Sequence, residues 1–307
     1  MSKLIPERPA YRREQLLIGY PTLACFVLLF VFRLLGNREA LSGQIWFSLL
    51  GLLVALLLPS LVFLFLRGRG YTRVLALRMP RKGHIGFLVC VFFALFSGAM
   101  LLSILFGGTS SLGNSSTVFE SASANGPWAT VLMWLVLAIL PAFLEELFFR
   151  GVMLAEYERR GAVRGVLMTA LLFALCHFDI RNLPVYLFTG ALLALTRFAT
   201  DSLFATVILH ALYNTVSLFG QRYLNALYDF TGNLELFIFL LILIFLVSAI
   251  FLCHTGMRLY RRREQEQEGE PRRAVPWEVQ FYTIADALAD PPILLCIVLS
   301  IVGFIIL

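Results

Sequence analysis

The chain reads as an all-α, polytopic membrane protein with about nine transmembrane helices. Three observations predict this class. Apolar residues make up 59% of the 307 and charged residues only 14%, whereas a soluble domain carries roughly 25% charged and about 45–50% apolar residues. The mean hydropathy is +0.83. The apolar residues also fall into long runs, and a helix needs about 20 of them to cross the hydrocarbon core.

The runs follow in order. Residues 15–32 come after Lys3, Arg8, Arg12 and Arg13. A signal peptide would end in a small-residue cleavage site, but Arg33 and Arg38 follow instead, so this is expected to be a retained helix. Residues 45–66 and 85–106 flank a basic loop holding Arg67, Arg69, Arg73, Arg78, Arg81 and Lys82. Within it, residues 71–82 read as an interfacial segment on the membrane surface. Residues 127–149 follow a loop, 107–126, that has no basic residue. Residues 165–176 and 183–198 are short for spans. Residues 202–219, 234–253 and 292–307 complete the nine. A polar linker, 256–291, precedes the last; it carries Arg258, Arg261, Arg262, Arg263, Arg272 and Arg273.

Basic loops, with Arg159, Arg160 and Arg164 in the fourth, alternate with loops lacking them. That pattern predicts a cytoplasmic N-terminus and linker, with Leu307 outside. In a bacterium the membrane is the plasma membrane. The net charge of +6 belongs to these clusters, so the partners expected are the bilayer and a membrane-associated peptide or protein substrate, with no nucleic acid. Cys25, Cys90, Cys176, Cys253 and Cys296 lie in apolar runs without metal-ligand or disulfide-framework spacing. Three regions are expected: N-terminal membrane helices in 1–126, a catalytic helical core in 127–220, and C-terminal helices with the basic linker in 221–307.

An ionisable residue inside a span is costly and marks function by default. Glu145 and Glu146 interrupt a run of Leu and Phe. Glu146 and Arg150 stand i,i+4 and can pair on one face; Glu145 points about 100° away and stays available for chemistry. His177 follows Phe173 by one turn, and His210 precedes Asn214 by one turn. Taken singly, such His and Asn residues often only bond helices together. Depth joins them. Glu145 lies 16 residues before Gly161 and His177 lies 16 after it. If both flanks are helical, both side chains lie roughly 20 Å from the turn. That requires the helix of Glu145 to continue through residues 151–158. His210 lies nine residues beyond Asp201. Pro141, one turn before Glu145, removes a backbone bond and can kink the helix.

These residues resemble the CPBP family of CAAX proteases and bacteriocin-processing enzymes, also called Abi proteins, of the type II CAAX prenyl endopeptidase kind. The family pattern is E-E-x-x-x-R, F-x-x-x-H, then H-x-x-x-N/D. Here it stands as Glu145-Glu146…Arg150, Phe173…His177 and His210…Asn214, in order. The resemblance covers about 127–220, and the last span looks like an addition to the family's usual eight. It implies an intramembrane endopeptidase without a cofactor. Glu145 would be the general base, His177 its helper, and His210 and Asn214 the oxyanion stabilisers. Glu146, Arg150 and Phe173 would shape the site. A base for water and donors for the tetrahedral oxygen are what peptide hydrolysis needs.

Two other readings stay open. A zinc protease could use Glu and two His with a bound water, although the H-E-x-x-H helix is absent. A non-catalytic membrane protein, such as a bacteriocin-immunity factor, is the other. A transporter would bring paired repeats or broken helices, and neither is present in the sequence. Whether the substrate is prenylated is open.

Overall fold

The computed structural model describes residues 8–38, 44–68, 75–106, 126–220, 226, 228, 230–266 and 277–307. All nine apolar segments become helices. They are α1 (Arg8–Gly36), α2 (Ile45–Arg67), α3 (Ile85–Phe106), α4 (Pro127–Tyr157), α5 (Ala162–Leu175), α6 (Leu183–Thr200), α7 (Leu203–Phe219), α8 (Leu234–Glu266) and α10 (Pro291–Ile306). A further helix, α9 (Trp277–Leu288), precedes α10. Among the described residues there is no strand.

The chain is an integral membrane protein, and the count of about nine spans is not confirmed. Among the described residues, six helices are long and apolar enough to cross, and α9 with α10, bent by 64°, would make a seventh. At 14 and 17 residues, α5 and α7 are shorter. The reason is polar punctuation. Helix α5 gives way to the turn at Cys176-His177, and Ser202 starts α7 afresh as an N-cap, its hydroxyl accepting from the Ala205 N–H at 3.0 Å. Helix α6, at 18 residues, is long enough. The linker 256–291 is largely helical, since α8 runs on to Glu266 and α9 begins at Trp277. The loop 107–126, except Gly126, and Arg69, Arg73, Arg272 and Arg273 lie outside the described residues.

Two of the arginines counted as loop charges are inside the protein. Arg67 pairs with the buried Glu156. The Arg164 guanidinium lies over the Tyr157 ring at 5.3 Å and is 2% exposed. A buried carboxylate is tolerated only when paired, and Glu156 has Arg159 at 3.7 Å as well.

The helices fall into two compact units. One comprises Met1–Leu75, Leu147–Asp179 and Arg273–Leu307; the other comprises Ala76–Glu146 and Ile180–Arg272. In the first, α1 packs along α10, and α9 lies on α5. A Cβ at Gly19 of α1 would stand 2.7 Å from the Asp290 carboxylate and 3.1 Å from Pro292, so glycine is what permits the approach. In the second unit, α3 packs against α6 and α8 around Phe87, Val91, Leu95, Leu193 and Leu209.

Helix α4 is continuous from Pro127 to Tyr157, so the condition set for Glu145, that its helix continue past residue 151, is met. It is not a regular α-helix. Residues Leu135–Ile139 and Leu147–Met153 are π-helical, and only Leu140–Glu146 between them is α. Pro141 has no N–H to return to the Leu137 carbonyl, and its ring crowds that carbonyl. Widening the preceding turn relieves both. Such π turns are frequent at functional sites.

Candidate active site

In the second unit, Glu145, Glu146, His210 and Asn214 come together. The short α stretch between the two π segments carries the glutamates, and α7 faces it with the histidine. His210 Nδ1 lies 2.9 Å from Glu146 Oε1, and its Nε2 lies 3.8 Å from Glu145 Oε2. The imidazole is thus bracketed by two carboxylates. Glu146 is fully buried, whereas the Glu145 side chain keeps 16% of its surface exposed. Facing His210, the two adjacent glutamates are not equivalent. One is an interior anchor for a ring nitrogen, and the other can be reached.

A carboxylate against one imidazole nitrogen decides which nitrogen carries a proton and holds the ring plane. With Nδ1–H donating to Glu146, Nε2 is aimed at the Glu145 side. Asn214, one turn further along α7, donates through Nδ2 to the Ala138 carbonyl at 3.3 Å. Its second amide hydrogen remains for another acceptor. Ala138 belongs to the π segment Leu135–Ile139, so Asn214 holds the irregular part of α4 directly.

Residues that the sequence did not single out support this geometry. Trp134 Nε1 donates to Thr215 Oγ1 at 2.9 Å, and that hydroxyl donates to the Ala211 carbonyl at 2.6 Å. At the foot of α7, Asp201 accepts from Arg78 at 2.7 Å and from Arg197 at 3.1 Å. The Leu203 N–H donates to the Ala76 carbonyl at 2.9 Å. These bonds tie the start of α7 to the segment before α3, which was expected to lie on the membrane surface. The exposed Leu77 and Met79 there fit an interfacial position. Sequence held a signal for Arg78 and Asp201, which are charges next to spans. It held none for Trp134 and Thr215, whose spacing of 81 residues follows no local rule.

In the first unit, Arg150 is fully buried, with its guanidinium over the Phe173 ring at 4.4 Å and the Phe149 ring at 6.0 Å. Cation–π stacking of this kind keeps a buried arginine partly compensated. The i,i+4 spacing of Glu146 and Arg150 presumes a regular α-helix, but the residues from Leu147 onward are π-helical, so α geometry does not place that arginine. His177 lies just past the end of α5. Its Nδ1 is 2.7 Å from the Phe173 carbonyl and its ring meets the Phe173 ring edge-on at 4.9 Å. Because a carbonyl only accepts, Nδ1 is the protonated nitrogen. Among the described residues, no group of three or more His, Cys, Asp or Glu side chains is arranged to hold a metal ion.

Residues 127–216 match the family model described as type II CAAX prenyl endopeptidase Rce1-like. This match supports the resemblance of residues 127–216 to the CAAX protease family. The match covers less than a third of the chain, yet it includes all of the candidate residues from Glu145 to Asn214. Neither the curated proteins nor the solved structures supply a match. The CAAX protease family supports a membrane endopeptidase whose substrate is a membrane-associated protein. The parts of the chain outside the match include α1 to α3, α8 to α10, Arg78 and most of the first unit.

Proposed function

We propose that the chain is an intramembrane endopeptidase in which Glu145 activates water for attack on a peptide bond of a membrane-associated substrate. The observation that carries this reading is the bracketing of His210 by Glu146 at 2.9 Å and Glu145 at 3.8 Å. A base that can be reached, beside an imidazole whose other nitrogen is held by a buried carboxylate, has the parts that hydrolysis requires. Glu145 takes the proton of the attacking water. When both of its ring nitrogens carry protons, His210 donates through Nε2–H, and with the second N–H of Asn214 stabilises the tetrahedral oxygen. His177, with Nδ1 committed to the Phe173 carbonyl, acts through Nε2 as helper to the base, the role the family resemblance gives it. The core in 127–220 holds this chemistry, the N-terminus faces the cytoplasm, and no metal takes part.

Two experiments test the reading. Membrane peptides from cells carrying the wild-type protein are compared with those from cells carrying Glu145→Ala; new peptide termini that depend on Glu145 are expected. If no terminus differs, the protein is not a protease under those conditions and the non-catalytic reading takes its place. Metal analysis of purified active protein, with a chelator titration, separates the two enzyme readings. Stoichiometric zinc, with activity lost to chelator and restored by zinc, would replace the glutamate mechanism by a zinc one.

A further inference from the structure

His177 stands on a turn that is held from outside the matched segment. The residue after it, Phe178, has a left-handed backbone with φ of 50°. An aromatic residue adopts this only when its surroundings hold it there. Its ring is 4% exposed and sits edge-on to Phe30 and Phe26 of α1, at 5.6 Å and 6.2 Å. On another side it lies on Gly303 of α10, where an added Cβ would stand 2.4 Å from Phe178 Cδ1. Arg33, in the last turn of α1, donates through Nη1 to the His177 carbonyl. A helix C-terminus leaves carbonyls without partners, and an arginine there satisfies one and complements the helix dipole.

We propose that α1 and α10 form a socket that sets the orientation of the His177 ring, with Arg33, Phe178 and Gly303 as its positioning residues. The left-handed turn at Phe178 reverses the chain directly after His177. The ring in its socket and Arg33 on the carbonyl then fix the peptide on which the histidine is carried. That leaves Nδ1 within reach of the Phe173 carbonyl and Nε2 free of it. Helix α10, which lies outside the matched segment, thereby has a task at His177. The proposal rests on the reading of His177 as helper to Glu145.

The test uses the whole protein in lipid nanodiscs with labelled histidine. The chain has four histidines, so their ring nitrogen signals can be separated and assigned with His177→Gln. In the wild type, His177 is expected to carry its proton on a hydrogen-bonded Nδ1. Gly303→Ala pushes the Phe178 ring out, and Arg33→Gln withdraws the charge from the carbonyl. Both are expected to shift the His177 signals and leave those of His210 in place. Turnover of the Glu145-dependent cleavage should fall about tenfold to a hundredfold with KM unchanged. Phe178→Leu added to Gly303→Ala makes room for the new methyl and should restore both readouts. Arg33→Lys should restore more than Arg33→Gln. Unaltered His177 signals in Gly303→Ala and Arg33→Gln would overturn the socket. If Gly303→Ala does not fold, unaltered signals in Arg33→Gln alone overturn it. A wild type that cleaves nothing, yet responds as expected in its His177 signals, would remove the protease reading and leave the socket standing.

Discussion

Glu145 and Glu146 are chemically identical neighbours whose surroundings give them different work. Glu146 is sealed against His210, so Glu146→Ala leaves a buried ring nitrogen without its acceptor. A loss of about 1–3 kcal/mol is expected, read as a lowered unfolding temperature in detergent, together with loss of turnover. Glu145→Gln should leave the unfolding temperature within error and lower turnover by about 10²–10⁴, the usual contribution of a general base. Equal thermal losses in the two variants would reverse the roles. Asn214→Ala should lower turnover by about 10²–10³, as loss of an oxyanion donor does, with substrate binding kept. It should also cost the bond to the Ala138 carbonyl, about 1 kcal/mol. A variant that weakens KM instead would make Asn214 a substrate-binding residue. This much was legible in the sequence, because carboxylates and histidines in apolar runs stand out by their cost. What was not legible is that His210 lies against Glu146. Helical spacing relates Glu146 to Arg150 on its own helix, whereas the approach of α7 leaves no mark on local spacing.

At the scale of the helix, α4 is the informative one. Its apolar run is unmistakable in sequence, but hydropathy does not register whether a turn closes i→i+4 or i→i+5. Pro141 was the only local clue, and it pointed to a kink where the chain widens its turns instead. Helix α7 reads the same way. Its His and Asn are visible, whereas the clamp that sets its register, Trp134 to Thr215, depends on an 81-residue separation. The clamp should be measurable. Trp134→Phe removes one hydrogen bond, worth about 0.5–1.5 kcal/mol, and Thr215→Val removes that bond together with the one to the Ala211 carbonyl. The double variant should lose no more than the larger single loss, because both act on one bond. Additive losses in thermal unfolding would mean that the two residues stabilise the protein separately. Charge was misread at this scale in another way. Arg67 and Arg164 count toward the topology as loop residues, yet Arg164 is buried over Tyr157 and Arg67 is half-buried against Glu156. Glu156 could have been found, since it lies in the stretch through which α4 had to continue.

For the molecule as a whole, the membrane class was legible from composition alone, and the interleaving of its two units was not. The chain crosses from one to the other after Leu75, Glu146, Asp179 and Arg272, and no composition shift marks these points. Orientation is open to direct measurement. Single cysteines at Arg261 and Leu307, in a background free of other cysteines, should label from the inside and the outside respectively, as the basic clusters require. Labelling of position 261 from outside would invert the arrangement. The Phe178 socket adds a temporal side to this architecture. Synthesis proceeds in chain order, and Gly303 is made 125 residues after Phe178. At about 5–20 residues per second, the ribosome needs roughly 6–25 s to cover that distance. Throughout that interval the turn at His177 lacks one wall. A nascent chain therefore inserts its glutamates into the bilayer well before its histidine is seated, and it passes its neighbours in the membrane as an unarmed enzyme.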